Sequence, residues 1–339
     1  MGYQLGLLDQ SPIQKGASPF EALQQTVHLA QKAEEWGYSR FWVSEHHHTE
    51  QLAGSSPEVL ISYLLARTNA IRIGSGGVML QHYSSYKVAE NFHVLSTLAP
   101  GRVDLGIGKG PGGLPLSSKA LQFGTVNDGE DFEERLSFLN QLLENSVDEN
   151  HSLSGIQALP VPPEKPENYL LGASVESAKL AAKYGWNFVF ARFINSDISV
   201  LEEAANAFHA RNERGRLLVS VAVIAAPSKQ EAEQLALDHK LFKVHLKSGR
   251  TVTVQSAKQA ETFGSQAGEP YEVSEQEANI IAGTPVFIKE ELAHLHNTYQ
   301  VDEFILHSPV QTKEERFRTF QLLSPTYSEE KKNEEEYIL

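Results

Sequence analysis

The chain has 339 residues, 41% hydrophobic and 21% charged, a balance that suits a folded protein with a sizeable core and excludes a disordered one. A formal net charge of −14 argues against partners held by long-range attraction to nucleic acid or to an anionic membrane. Zero cysteines exclude disulfides, thiol catalysis and thiolate metal sites, and no leader-like N-terminus or run of ~20 apolar residues is present, so a cytoplasmic protein is expected.

Short apolar runs alternate with longer stretches of helical period, the pattern of βαβ units in a parallel sheet. Strand one is predicted at 3–8. A helix follows over 20–37, with Leu23, Val27, Ala30 and Ala33 on one stripe and Gly37 as its stop. Strand two falls at 40–43, and Pro57 opens the next helix where a missing N–H costs nothing. Strand three is predicted at 71–74, a helix at 86–98 stopped by Pro100 and Gly101, and strand four at 103–107. A glycine-rich loop (108–113), a helix (130–143) and a proline-studded connection (151–168) come next. Strands five to seven are placed at 169–171, 188–190 and 217–225, with helices near 176–184 and 200–212 between them. Strand eight is placed at 303–306, between helices near 286–299 and 313–322.

Eight such units predict a closed (β/α)8 TIM barrel, one domain over 1–327 in which every strand points the same way. Residues 247–283, rich in Ser, Gln, Glu and Gly, break the repeat after the seventh strand–helix unit and are expected to form an insertion over the barrel mouth. Residues 328–339 read as a charge-dense tail that frays.

In such a barrel, residues just past each strand's C-terminal end share one mouth, so chemistry is sought there. Strand five runs into Gly172, Ala173, Ser174, Val175, Glu176 and Ser177. Small residues followed by a helix start with hydroxyls suit an anion, and the plain alternative is N-capping by Ser174. Lys109, with Gly110 in the loop after strand four, tips the balance towards a phosphate. The run His46, His47, His48 lacks the helical His-x-x-x-His spacing of a metal site, so no metal is expected. A neutral imidazole at the mouth serves better as a base or hydrogen-bond donor, and His82 faces the same choice between chemistry and a polar strand end. Arg192, flanked by Phe190 and Phe193, suits an anionic or carbonyl group of a substrate, or else a surface cation–aromatic contact. No nucleophile elbow, phosphate-loop or zinc-helix motif is present.

Four stretches together resemble the bacterial-luciferase-like flavin monooxygenase family. They are Trp42-Val43-Ser44-Glu45-His46-His47; Gly77 to Glu90 with its Leu80-Gln81-His82 turn; Pro100-Gly101-Arg102-Val103-Asp104-Leu105-Gly106-Ile107-Gly108-Lys109-Gly110; and Leu171-Gly172-Ala173-Ser174 through to Gly185. The resemblance implies FMN at the barrel mouth and oxygenation of a small organic substrate through a peroxide adduct of the reduced flavin with O2. It implies phosphate contacts from Lys109, Gly110, Ser174, the backbone of Glu176 and Ser177, and a flavin ring packed on Gly76 and Gly77. It further implies that His46 acts beside the flavin and that Glu45 fixes the end of strand two. Lys109 stands where many relatives have arginine, Leu180 replaces a phosphate-binding threonine of luciferase, no arginine occurs in 125–131, and Ser84-Ser85 replaces a common proline pair. Loose flavin binding follows, with reduced FMN supplied by a separate NAD(P)H:flavin reductase. The resemblance also implies a homodimer formed through the helices at 57–68 and 86–98. Two alternatives remain open, a non-catalytic flavin-binding protein and a deazaflavin-dependent hydride-transfer oxidoreductase.

Overall fold

A computed structural model describes residues 2–124, 131–212, 214–237, 239–310 and 312–327. The expectations for the tail at 328–339, and for all but the last residue of 125–131, lie outside the described residues.

In chain order, β1 (Gln4–Asp9) leads to α1 (Pro19–Glu35), β2 (Arg40–Val43) to α2 (Pro57–Arg67), and β3 (Arg72–Ser75) through a short β4 (Val78–Met79) to α3 (Ser85–Leu98). β5 (Val103–Gly108) is followed by α4 (Pro115–Leu121) and α5 (Phe132–Glu144), β6 (Glu167–Gly172) by α6 (Val175–Lys183), β7 (Asn187–Ala191) by α7 (Ile198–His209), and β8 (Leu217–Ala225) by α8 (Lys229–Ala236). An excursion carries β9 (Lys240–Leu246), β10 (Thr251–Val254), α9 (Ala257–Ala267), β11 (Tyr271–Glu277) and β12 (Ile280–Gly283) before α10 (Pro285–Tyr299), β13 (Glu303–His307) and α11 (Lys313–Leu323). The helices begin where their sequences allow. At α1, Ser18 and Glu21 form a reciprocal capping box and Pro19 takes the first position, where its lack of an N–H is harmless.

β1, β2, β3, β5, β6, β7, β8 and β13 pair in that order, all parallel, and β13 pairs back onto β1. This is a closed eight-stranded α/β TIM barrel. Side chains alternate across each strand. Leu8, Trp42, Tyr169, Val189, Leu218 and Ile305 pack together inside the barrel. Their neighbours Leu7, Phe41, Phe188, Phe190 and Leu306 join the larger core beneath the helices.

The floor of the barrel is ionic. Arg40, 1% exposed, reaches Asp104 at 2.5 Å and Glu303 at 2.8 Å, and Asp104 also accepts from Trp42 Nε1 at 2.8 Å and Arg72 Nε at 2.8 Å. Room for these groups comes from missing side chains: a Cβ on Gly6 would lie 2.5 Å from Arg40 Cγ, and one on Gly74 2.5 Å from Asp104 Cβ. With its lower half filled, the barrel leaves space for a ligand at its C-terminal mouth.

The excursion differs from the expected insertion at 247–283. It starts at Lys240 and is a folded unit, in which β9 pairs antiparallel with both β10 and β11 and α9 packs on the sheet. Its last strand, β12, rejoins the barrel by pairing with the end of β8. The helix α4 was not anticipated either. Among the described residues, no helix is long and apolar enough to cross a membrane.

Candidate active site

A cavity of about 1030 Å³ opens at the C-terminal ends of the barrel strands. Its floor is apolar, formed by Leu8, Trp42, Leu171, Val189 and Ile305, and the excursion forms its roof through Leu241, residues 252–256, Lys258, Gln259, Thr262 and Gln266. Such a volume is at the upper end of the ~300–1,000 Å³ usual for small-molecule and cofactor sites.

The end of β2 supplies the histidine run, and the three imidazoles have separate fates. His46 continues the inward face begun by Trp42 and Ser44. Its Nδ1 lies 3.0 Å from Ser44 Oγ, and its backbone N–H donates to Gly54 O at 2.9 Å. Burial pushes the imidazole down to about 4, outweighing the Glu45 carboxylate that favours the charged form, so the ring is neutral at pH 7. His47 also lines the cavity but is engaged, with Nε2 2.7 Å from Glu45 Oε1, and His48 is exposed at the rim. Glu45 is 2% exposed and accepts from His47, from Tyr83 Oη at 2.8 Å and from Met79 N–H at 3.0 Å. The carboxylate therefore ties the ends of β2 and β4 together.

His82 does not line the cavity, contrary to its expected place at the mouth. Its Nε2 lies 2.9 Å from the carbonyl of Pro111 and its Nδ1 3.2 Å from the Gln122 amide nitrogen. A carbonyl can only accept, so Nε2 carries the proton and Nδ1 accepts, the neutral form that burial also favours. With Gln81, whose amide donates to Gly110 O at 2.7 Å, His82 clamps the glycine loop after β5.

That loop carries Lys109, whose ammonium lies 5.6 Å from the Phe132 ring centroid and has no carboxylate within ion-pair distance among the described residues. Lys109 and Gly110 line the cavity, as does Ser177 from the first turn of α6. Ser174 caps α6 by accepting from Ser177 N–H at 3.3 Å, so the N-capping reading holds and leaves the N–H groups of Val175 and Glu176 without helical acceptors. The side chain of Glu176 is exposed and off the cavity wall, and Leu180 packs towards the core. A glycine missed by sequence reasoning matters here: a Cβ on Gly172 would lie 2.3 Å from Ser177 Cβ, so its absence lets the helix start sit against the strand end. Among the described residues, the Lys109 ammonium without an ion-pair partner, the first-turn N–H groups of α6 and the Ser177 hydroxyl lie on one side of the mouth, a donor set that fits a phosphate.

Gly76 and Gly77 line the cavity and are joined by a cis peptide. A Cβ at Gly76 would lie 2.8 Å from Leu8 Cδ1, and one at Gly77 2.7 Å from Gly106 O, so packing inside the barrel requires both glycines whether or not a flavin lies on them. Ser84 caps α3 and Ser85 Oγ donates to Arg135 O at 2.8 Å, which gives the serine pair at this loop a structural role.

Arg192 is the second misplaced residue. Val189, Ala191 and Phe193 line the cavity, so alternation turns Arg192 outward. There burial lowers its guanidinium's proton affinity while Glu291 of α10 raises it, and its Nε has no hydrogen-bond partner. Phe193 keeps its expected place and lies 5.7 Å, ring to ring, from His307. No motif or spacing singles out His307, a group at the end of β13 that burial also pushes down to about 4.

Comparison with known proteins agrees with this architecture. The luciferase-like monooxygenase family model matches residues 4–300. An N-acetyl-S-alkylcysteine monooxygenase of Bacillus subtilis (strain 168) is 47% identical over 324 residues, 95% of this chain and 97% of the relative. The crystal structure of apo-MsnO8 superposes with a TM-score of 0.76 at 31% identity, covering 95% of this chain and 97% of that one. The oxygenating constituent of 3,6-diketocamphane monooxygenase from Pseudomonas putida, a type II Baeyer-Villiger monooxygenase solved with FMN, has a TM-score of 0.68 at 18% identity, with 95% and 97% coverage, and shares the fold.

Proposed function

The chain belongs to the luciferase-like monooxygenases, and from that premise we propose that it uses reduced FMN and O2 to oxygenate a small organic substrate in the barrel mouth. The observation that carries this reading is that Lys109, Gly110 and Ser177 line the same cavity as neutral His46, with the first-turn N–H groups of Val175 and Glu176 beside Ser177. When bound, reduced flavin supplies two electrons, so that one oxygen atom enters the substrate and the other leaves as water.

The residues divide the remaining work. The cap on α6 orients the N–H groups that receive the phosphate, and Ser177 adds a hydroxyl. Gln81 and His82 hold the loop that presents Lys109. Glu45 holds the end of β2 so that His46, neutral and hydrogen-bonded at Nδ1, can donate or accept a proton at the reacting centre. Phe193 and the roof cover part of the cavity, which would limit the access of water to the reacting centre. The name of the 47% identical relative directs the substrate class to thioethers of N-acylated cysteine, with a sulfoxide or a cleaved thioether as product.

A lysine in place of a bidentate arginine supports a flavin that exchanges, and hence supply by a separate NAD(P)H:flavin reductase. A homodimer through α2 and α3 is supported by exposed Val59 and Tyr63 on one helix and Val94 and Leu98 on the other. The test is binding of reduced FMN and of a reduced deazaflavin, followed by turnover with N-acetyl-S-methylcysteine. Tighter FMN binding with O2-dependent product supports the proposal. Preference for the deazaflavin, or flavin binding with no product from any thioether, aldehyde or ketone, overturns it.

A further inference from the structure

We propose that Lys258 recognises a carboxylate on the substrate, making this an oxygenase of amphiphilic organic acids. The inference rests on the reading above and adds a subsite that the flavin does not use.

Two lysines line the cavity, Lys109 and Lys258. They belong to different parts of the mouth. Lys109 follows β5, beside α6. Lys258 lies in the first turn of α9, and side-chain hydrogen bonds hold that turn over the opposite strands: Gln255 Nε2 to Gln10 Oε1 at 3.5 Å and Gln259 Nε2 to Gln51 Oε1 at 3.3 Å. Gln10 follows β1 and Gln51 follows β2, whereas β6, which runs into α6, stands four strands on from β1 and three from β2 in the eight-stranded ring. The far end of α9 is held as well, where Gln266 Oε1 accepts from Leu116 N–H at 3.1 Å. The helix thus spans the mouth and places Lys258, an exposed residue on the rim of the roof, at the end nearer β1 and β2.

The charge is unspent. Lys258 makes no ion pair among the described residues, and of the two carboxylates on the cavity wall Glu45 is engaged by three donors, while Glu50 forms no ion pair with it. Below lies the apolar floor of Leu8, Trp42, Val189 and Ile305. A cation in the roof and hydrocarbon below select a molecule with one anionic end and an apolar or soft reactive end. In a chain of net charge −14, Lys258 is, of the two cavity lysines, the one at the end of the mouth away from α6 and so the group placed to hold an anion there.

The experiment is calorimetric titration of N-acetyl-S-benzylcysteine and its methyl ester into the full chain, with and without FMN, for the wild type, Lys258→Gln and Lys258→Arg. In the wild type the acid should bind about fivefold to tenfold tighter than the ester, the worth of one partly screened charged hydrogen bond. Lys258→Gln should bring the two within about twofold by weakening the acid alone, Lys258→Arg should retain the preference, and FMN affinity should be the same in all three. An acid-to-ester ratio unchanged in Lys258→Gln, or no preference for the acid in the wild type, overturns the proposal. Failure of reduced FMN to bind under anaerobic conditions would instead overturn the flavin reading, and the acid-to-ester ratio would remain readable without it.

Discussion

His46 serves both the fold and the site: its backbone is pinned to Gly54, while its ring is buried enough to stay neutral and still faces the cavity. His46→Ala should lower oxygenation by about 100-fold or more, the usual worth of a positioned acid or base, while FMN affinity stays within severalfold. Single-turnover kinetics beside a flavin titration checks this, and turnover at the wild-type rate would remove His46 from the mechanism. His46 and His307 both bind a proton less readily in the folded chain, near 4, than at the ordinary 6.5. The unfolded chain therefore takes up protons first as the pH falls. Their stabilisation, complete above about 6.5, is lost on going down to about 4. His307→Asn should flatten thermal stability against pH in that window, measured as the melting midpoint at several pH values, and an unchanged slope would contradict the assignment. The candidate residues were legible in sequence where strand parity could be followed. Trp42, Ser44 and His46 share a face, and Val189, Ala191 and Phe193 share another, so parity itself turns Arg192 outward. His82 was not legible, because its partner Pro111 lies in another loop.

Among the elements, α6 and the roof carry the site. The start of α6 could be read directly, since a strand end, a small-residue step and Ser174 fix where the helix begins. Gly172, whose missing Cβ brings that start close, has a meaning only in three dimensions. Ser177→Ala, which removes one hydroxyl but neither the cap nor the free N–H groups, should weaken FMN binding by about threefold to tenfold, and Lys109→Ala by more. Equilibrium dialysis against FMN measures both, and affinity unchanged in each would move the phosphate elsewhere. The roof was under-read because its sheet is open on one side: β11 is nearly all exposed and looks like polar loop. Its neighbour β9 carries the alternation Phe242, Val244, Leu246, which packs with Ala260 and Phe263 of α9 into a small core of its own. Side-chain amides fasten the first turn of α9 to the barrel, Gln255 to Gln10 and Gln259 to Gln51. Replacing Gln255 and Gln259 together by alanine should speed hydrogen exchange across residues 251–267 and raise KM by about threefold to tenfold, at ~0.5–1.5 kcal/mol per amide bond. Exchange as slow as in the wild type would show that the roof is held by something else.

At the scale of the whole molecule, the barrel was plain from strand count and spacing, whereas the ionic floor was hidden. Arg40, Asp104 and Glu303 sit far apart in sequence, each in a short strand, and closure of the ring brings them together. Asp104 accepts from Arg40, Trp42 and Arg72 on two neighbouring strands, so Asp104→Ala should cost about 3–5 kcal/mol by stranding a buried guanidinium. Urea denaturation would register this as a lower midpoint, and a loss below about 1 kcal/mol would mean the floor is more open to water than its burial indicates. The filled lower half of the barrel is what leaves a cavity at the upper end, where the proposed flavin and substrate would lie, with Lys109 and the neutral His46 on its wall. The most direct test of that account is one turnover with photoreduced FMN, ¹⁸O2 and N-acetyl-S-methylcysteine, followed by mass spectrometry of the organic product. The account predicts one ¹⁸O atom per product molecule, drawn from O2 and not from water, with the signal lost in His46→Ala. Reoxidation of the flavin with all of the label recovered as hydrogen peroxide or water, and none in the organic product, would contradict it.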